Sequence, residues 1–96
     1  MVIGQIAGMT GTVYILKSES NGRYYIGSTN NLARREEEHG RGKTKYTKIA
    51  GPFELVFKQE FVDIKLARQI EYKLKKLKSR VIIEKIINEG VIKLGP

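Results

Sequence analysis

The stretch YYIGSTNNLARREEEH, residues 24–39, is predicted to form a strand that is followed directly by a helix. Arg35 and His39 are four residues apart in it, so they share one face of that helix. Tyr25 stands near the end of the strand, just before the helix begins. A phenol, a guanidinium and an imidazole are thereby brought towards one place. This arrangement predicts a reaction centre, although an imidazole at a helix end also serves as a C-terminal cap.

A first strand precedes this stretch at residues 12–17, TVYILK, where β-branched and aromatic residues predominate. Turn-forming residues follow it, so the two strands are predicted to form a hairpin with a four-residue loop at 19–22. That loop length sets Tyr14 opposite Gly27 and puts Tyr25 on the same face of the sheet as Tyr14. We expect the missing side chain at Gly27 to let a ligand approach Tyr14. The alternative is that the tyrosines are ordinary strand residues that pack in the core.

The periodicities along the chain predict the order strand, strand, helix, strand, helix, helix. This is an α+β fold in which helices flank a three-stranded antiparallel sheet (β-β-α-β-α-α). The strands are expected at 12–17, 23–27 and 53–61, and the helices at about 31–39, 64–78 and 81–89. The candidate N-caps are Ser28, Thr29 or Asn30 for the first helix, Asp63 for the second and Ser79 for the third.

The length of 96 residues supports one small domain. We expect residues 1–11 to be a loosely held N-terminal extension and residues 12–96 to form that single domain. No apolar run reaches the length of a bilayer span, and no secretory signal pattern opens the chain. A cytoplasmic protein without contact to membranes is therefore expected. Nothing indicates an obligate protein partner, so a monomer is expected as well.

The net charge of +8 favours a polyanionic partner, most plausibly nucleic acid, over a basic surface that only provides solubility. The chain has no cysteine and a single histidine, which excludes disulfides and thiolate zinc sites. Any bound metal must therefore use carboxylate oxygens and water. Oxygen ligands of this kind suit Mg²⁺ or Mn²⁺.

The long helix predicted at 64–78 carries an apolar stripe at spacings of three, four and three, formed by Ala67, Ile70, Leu74 and Leu77. Glu71 lies roughly 80° from the centre of that stripe, at the margin of the buried face. A carboxylate at this position is partly sheltered and still reaches a cleft. The alternative is an ordinary i,i+4 ion pair with Lys75.

Residues 40–48, GRGKTKYTK, form a basic loop that contains glycine and one aromatic side chain. Its cations and hydroxyl groups suit phosphate contacts, and Tyr46 suits stacking on a base or sugar. The alternative is a solvated loop. The predicted nucleic-acid contacts, in this loop and on the flanking helices, are Arg34, Arg41, Lys43, Lys45, Tyr46, Lys48 and Lys75.

The order of elements, with a tyrosine on each arm of the hairpin, resembles the GIY-YIG nuclease family over about residues 12–80. The resemblance is closest to the small, standalone bacterial members. YIG at 25–27 matches the second half of the family motif, whereas TVY at 12–14 departs from Gly-Ile-Tyr but keeps the tyrosine. The arginine and histidine of the family's first helix and the acidic residue of its long helix correspond to Arg35, His39 and Glu71.

The resemblance implies an endonuclease that hydrolyses DNA phosphodiester bonds with one divalent metal ion, Mg²⁺ or Mn²⁺, in repair or recombination. Glu71 would hold the metal, and Arg35 would neutralise charge on the phosphate. Tyr14 would position or deprotonate the attacking water with help from His39, and Tyr25 would hydrogen-bond the phosphate or water. The altered first motif, and the lack of a clearly matching asparagine late in the chain, favour an alternative. This is a basic nucleic-acid-binding module that has lost turnover.

Overall fold

The computed structural model describes residues 10–34 and 52–93, and it confirms the α+β class. Three strands form one antiparallel sheet in the order β2-β1-β3. The described elements are β1 (Gly11–Ser18), β2 (Tyr24–Thr29), β3 (Phe53–Phe61), α1 (Ile64–Leu77) and α2 (Arg80–Glu89). A further helical turn begins at Leu32, and the rest of the first predicted helix lies outside the described residues. None of the helices in these two ranges has the length and apolar character that a bilayer span requires.

The hairpin has the predicted register, with Tyr14 opposite Gly27. Its loop closes through a hydrogen bond from the Ser18 amide to the Arg23 carbonyl at 2.9 Å and another from the Gly22 amide to the Ser18 carbonyl at 2.9 Å. Gly22 has a φ of 73°, a left-handed conformation that suits a residue without a side chain. The turn therefore determines which side chains of the two strands face each other.

The hydrophobic core lies between one face of the sheet and the two long helices. Val13 and Ile15 of β1 are fully buried on that face. The helices pack against it with buried side chains, namely Ala67, Ile70 and Leu74 of α1 and Ile83 and Ile86 of α2. Because side chains alternate along a strand, Tyr14 and Leu16 lie on the other face of β1.

The predicted apolar stripe of α1 is wrong at its last position, since Leu77 is 46% exposed. The helix ends at Leu77, and Lys78 adopts a left-handed conformation with a φ of 50°. The chain thus turns before a final turn of helix could bury the side chain of Leu77.

The caps of the two long helices are those predicted. The Asp63 side chain accepts a hydrogen bond from the Leu66 amide at 2.7 Å, and Ser79 accepts one from the Ile82 amide at 3.2 Å. At the other end of α2, Gly90 is left-handed. Such capping bonds satisfy amides that would otherwise lack a partner.

The N-cap prediction for the first helix is wrong, because the cap is Asn31. Its side-chain oxygen accepts a hydrogen bond from the Arg34 amide at 3.1 Å. Ser28 and Thr29, two of the predicted candidates, belong to β2 and precede the cap position. The strand is therefore longer than the sequence suggested, and the helix starts later.

Gly11, the last residue of the predicted N-terminal extension, is the first residue of β1 and a point of close contact with α1. A Cβ atom built on Gly11 would lie 2.6 Å from the Cα of Ile64 and 2.8 Å from the Cβ of Ala67. Contacts this short do not occur between real atoms, and one of them is to backbone. The absence of a side chain at this position therefore sets the distance between α1 and the sheet.

Tyr24 and Arg80 join the start of β2 to the start of α2. The Tyr24 hydroxyl donates to Glu84 Oε2 at 3.2 Å, and the guanidinium carbon of Arg80 lies 4.7 Å from the centre of the Tyr24 ring. Arg80 also contacts Glu84 Oε2 at 3.2 Å and donates to the Gly22 carbonyl at 3.1 Å. Burial, and then the neighbouring Glu84 carboxylate, raise the pKa of the Tyr24 phenol above its ordinary value.

We predict that Gly11→Ala lowers the free energy of unfolding by about 1–3 kcal/mol, because α1 must move away from the sheet to admit the methyl group. Urea unfolding followed by circular dichroism measures the change. Lys58→Ala, at an exposed position on β3, is the control and should stay within about 0.5 kcal/mol of wild type. Equal stability of the two variants would contradict the close contact.

We predict that Tyr24→Phe lowers the free energy of unfolding by about 1 kcal/mol at neutral pH, because the hydrogen bond to Glu84 is lost. The folded state raises the pKa of this phenol, so it holds the proton to higher pH than the unfolded state. The advantage of wild type over Tyr24→Phe is therefore complete below about pH 10 and declines as the pH rises through the raised pKa. Urea unfolding at about pH 7 and about pH 11 measures this, and an unchanged difference would contradict it.

Candidate active site

A cavity of about 620 Å³ lies at the edge of β2. All five residues at positions 24–28 of β2 line it, together with Arg23 and with residues of β1, β3, α1 and α2. Successive residues of a strand point to opposite faces, so a cavity that touches all five borders the edge of the strand. β1 occupies the other edge of β2, so the cavity lies on the outer edge.

Glu71 contributes a carboxylate to this cavity from α1. Its Oε1 accepts a hydrogen bond from the hydroxyl of Ser28, and its Oε2 lies 2.5 Å from the Nζ of Lys75. The side chain is 19% exposed, as expected for a residue at the margin of the buried face. The two interpretations of Glu71, a carboxylate that reaches a cleft and a partner of Lys75, are therefore compatible. Glu71 lines the cavity and also forms the i,i+4 pair with Lys75.

Ser28 is a site residue that sequence reasoning missed, since it was considered only as an N-cap. It pairs with Val13 across the hairpin, so its side chain lies on the face that α1 covers. From there its hydroxyl reaches Glu71. The alternation of β2 residues was the available signal, because it places Ser28 on the same face as Ile26 and Tyr24.

Tyr14 lies against Gly27, and the expectation that this glycine opens Tyr14 to a ligand is wrong. A Cβ atom at Gly27 would lie 2.3 Å from the Tyr14 hydroxyl oxygen and 2.4 Å from the adjacent ring carbon. The phenol itself fills the space that the missing side chain leaves. Tyr14 is 7% exposed and still lines the cavity, so its position is closely determined.

Phe53 contacts the ring of Tyr25, and Asn21 binds its hydroxyl group. The ring makes an edge-to-face contact with Phe53, with centres 5.2 Å apart and planes at 82°. Such aromatic pairs favour one ring orientation. The hydroxyl of Tyr25 accepts a hydrogen bond from the side-chain amide of Asn21 at 3.4 Å. Tyr25 thus presents an oriented phenol to the cavity.

The two phenols and the carboxylate reach the cavity from opposite faces of the sheet. Tyr14 and Tyr25 lie on the face away from the core, whereas Glu71 approaches on the face covered by α1. They share one cavity because it wraps around the outer edge of β2. A group bound at this edge is accessible from both sides.

The remaining predicted site residues are placed as follows. Lys75 lines the cavity, and Arg34 is exposed on the first helical turn without lining it. Seven predicted residues lie outside the described ranges, namely Arg35, His39, Arg41, Lys43, Lys45, Tyr46 and Lys48. The structure therefore brings Tyr14, Tyr25, Glu71 and Lys75 together.

The charge in the cavity is mainly positive. Among its described lining residues the only carboxylate is that of Glu71, and the cations are Arg23, Lys75, Lys78 and Arg80. Three of these four cations were not predicted as site residues. A cavity of this polarity attracts an anion such as a phosphodiester group.

The donor set fits a divalent ion that keeps most of its water. Within the described ranges no three His, Cys, Asp or Glu side chains cluster, and Glu71 is the only carboxylate among the described residues that line the cavity. Mg²⁺ is commonly held by one or two carboxylates, water and substrate phosphates, and this fits such a site. The ammonium of Lys75 contacts Oε2, so it would compete with the ion for that oxygen.

Comparison with known proteins identifies the family of the chain. The family model of the GIY-YIG catalytic domain matches residues 10–86. The UPF0213 protein YazA of Bacillus subtilis is 43% identical over 65 residues, which cover 67% of this chain and 65% of YazA, just under two thirds of its length. The UPF0213 protein OB0043 of Oceanobacillus iheyensis is 42% identical over 66 residues, covering 68% of this chain and 76% of that protein.

A solved structure shows the same fold. The solution NMR structure of the UPF0213 protein BH0048 from Bacillus halodurans aligns with a TM-score of 0.55 and 38% sequence identity. The alignment covers 92% of this chain and 89% of that one. The chain therefore belongs to the GIY-YIG family, in which its relatives are the UPF0213 proteins.

Proposed function

We propose that the chain is a metal-dependent endonuclease that hydrolyses phosphodiester bonds in DNA, in the setting of repair or recombination that the resemblance implied. One observation carries this proposal: the carboxylate of Glu71 and the phenols of Tyr14 and Tyr25 border a single cavity rich in cations. A hydrolase for phosphodiesters needs a metal ligand, groups that hold water and phosphate, and positive charge. The carboxylate, the phenols and the cations at the edge of β2 are suited to these three roles.

Glu71 would hold the metal ion through its carboxylate, with Ser28 orienting that group by a hydrogen bond. The ion, when bound, supplies Lewis-acid chemistry at the scissile phosphate. Ser28 is a positioning residue, because it contacts the carboxylate. Lys75 adds a positive charge beside Glu71 and contributes to binding the phosphate.

Tyr14 is suited to orient the attacking water, because its hydroxyl is closely held against the backbone of Gly27. Tyr25 is suited to donate a hydrogen bond to a phosphate oxygen, since its ring is oriented by Phe53. The roles expected for Arg35 and His39 in phosphate neutralisation and proton transfer remain part of the proposal.

A nucleic-acid-binding module without turnover is the second candidate, and one observation favours it. The contact of Lys75 with Glu71 Oε2 occupies an oxygen that a metal would use, and the described residues offer no second carboxylate in the cavity. If this pair persists in the presence of metal, the cavity would bind phosphate and not cleave it. Cleavage assays separate the two candidates.

We predict that the wild-type protein cleaves nicked, branched or linear DNA only when Mg²⁺ or Mn²⁺ is present. Glu71→Gln should abolish cleavage, and Tyr14→Phe should reduce its rate by about 10²-fold or more, because each removes one reacting or positioning group. The products are measured on denaturing gels. Glu60→Gln, an isosteric change at an exposed site on β3, is the control and should cleave like wild type. Activity retained by Glu71→Gln would contradict the proposal, and inactive wild type that binds DNA would favour the second candidate.

We predict that Lys75→Met lowers the dissociation constant for Mn²⁺ by up to about fivefold, because the competing charge at the Glu71 carboxylate is removed. Electron paramagnetic resonance of free Mn²⁺ measures this without any substrate. Lys76→Met, one residue further along α1 and outside the cavity lining, is the matched control. An equal gain in Mn²⁺ affinity in both variants would reflect only the loss of a surface charge. That result would contradict a metal position at Glu71.

A further inference from the structure

The cavity has a second end, away from Glu71, at the junction of α1 and α2. The contacts of Arg80 with Tyr24 and with the Gly22 carbonyl hold this junction against the start of β2. The contact of Ser28 with Glu71 marks the other end of the same strand. Ser28 follows Tyr24 by four positions along the strand, a distance of about 13 Å. The cavity thus runs as a groove along the outer edge of β2.

Two cations stand at the second end, Arg23 just before β2 and Lys78 just after α1. Both residues line the cavity and are exposed. Within the described parts of the chain, no ion pair joins either of them to a carboxylate, whereas Arg80 is paired with Glu84. Lys78 follows Glu71 by seven residues and immediately follows the end of α1, so it lies about 10 Å further along the direction of the helix axis. The positive charge of these residues is therefore available to a bound anion.

Lys78 occupies a backbone position that suits glycine. It has a φ of 50° and is the only non-glycine residue with a positive φ in the described ranges. Helices commonly end in this conformation with glycine, because a Cβ atom disfavours it. Gly90 takes the corresponding place at the end of α2. The end of α1 has a long cationic side chain instead, and that side chain borders the groove.

We propose that Arg23 and Lys78 form a second phosphate-binding subsite, which holds a phosphate of the same strand beyond the one at Glu71. This inference rests on the proposed function in taking the Glu71 end as the place of the scissile phosphate. Two cations from separate elements can engage the oxygens of one phosphate, and such contacts fix the register of a bound strand. The ligand at both ends is one strand of nucleic acid, because the two subsites hold phosphates of the same backbone.

The test measures binding of a fluorescein-labelled single-stranded oligodeoxythymidine by anisotropy, in EDTA and over a range of salt concentrations. We expect Arg23→Ala and Lys78→Gly each to weaken binding several-fold and to reduce the slope of log K against log salt by about 0.7, the value for one lost phosphate contact on a single strand. Lys85→Ala, an exposed cation of α2 outside the groove, is the matched control and should leave the slope unchanged.

Lys78→Gly also separates binding from folding. The backbone favours glycine at this position, so the variant should unfold at a higher urea concentration while it binds DNA more weakly. The subsite would be overturned if the slope of log K against log salt stayed unchanged in both Arg23→Ala and Lys78→Gly. It would also be overturned if Lys85→Ala reduced this slope equally. Because EDTA removes metal-dependent cleavage, reduced slopes support the subsite even if the cleavage assay contradicts the nuclease. Unchanged slopes with intact metal-dependent cleavage overturn the subsite alone.

Discussion

The hydrogen bond between Ser28 and Glu71 is the contact on which the arrangement of the site depends. It joins β2 to the long helix that covers one face of the sheet, and it turns a carboxylate towards the outer edge of β2. Partial burial of Glu71 is tolerated because Ser28 and Lys75 satisfy its two oxygens. Without this contact, the ion pair with Lys75 alone would hold the carboxylate.

Two glycines on β1 and β2 set the distances around this contact. Gly11 lets the start of α1 approach the sheet closely, and Gly27 makes room for the Tyr14 ring on the opposite face. A side chain at either position would move a helix or a phenol. The family motif thus has a physical meaning here: the glycine after Tyr25 and Ile26 is needed because the hydroxyl of Tyr14 occupies the space of its Cβ.

Local signals were enough to predict much of the fold. The bounds of β3 and the caps Asp63 and Ser79 follow from alternation and capping chemistry, and the hairpin register follows from its loop length. The exposure of Leu77 was not predictable in this way, because it depends on where the chain turns after α1. The sequence also did not reveal the contact of Ser28 with Glu71, since 43 residues separate the two partners. The same holds for the cationic end of the groove, where Arg23 and Lys78 come from distant segments.

A metal site shared by Glu71 and the two phenols is tested by paramagnetic broadening of the amide resonances of ¹⁵N-labelled protein by Mn²⁺. If the ion binds at the edge of β2, broadening should centre on Ser28 and Glu71 and extend through the strand to Gly27 and Tyr14 on the other face. Amides at the far end of α2, near Glu89, should stay sharp. Broadening centred near Glu89, or confined to one face of the sheet, would contradict a single site shared by the carboxylate and the phenols.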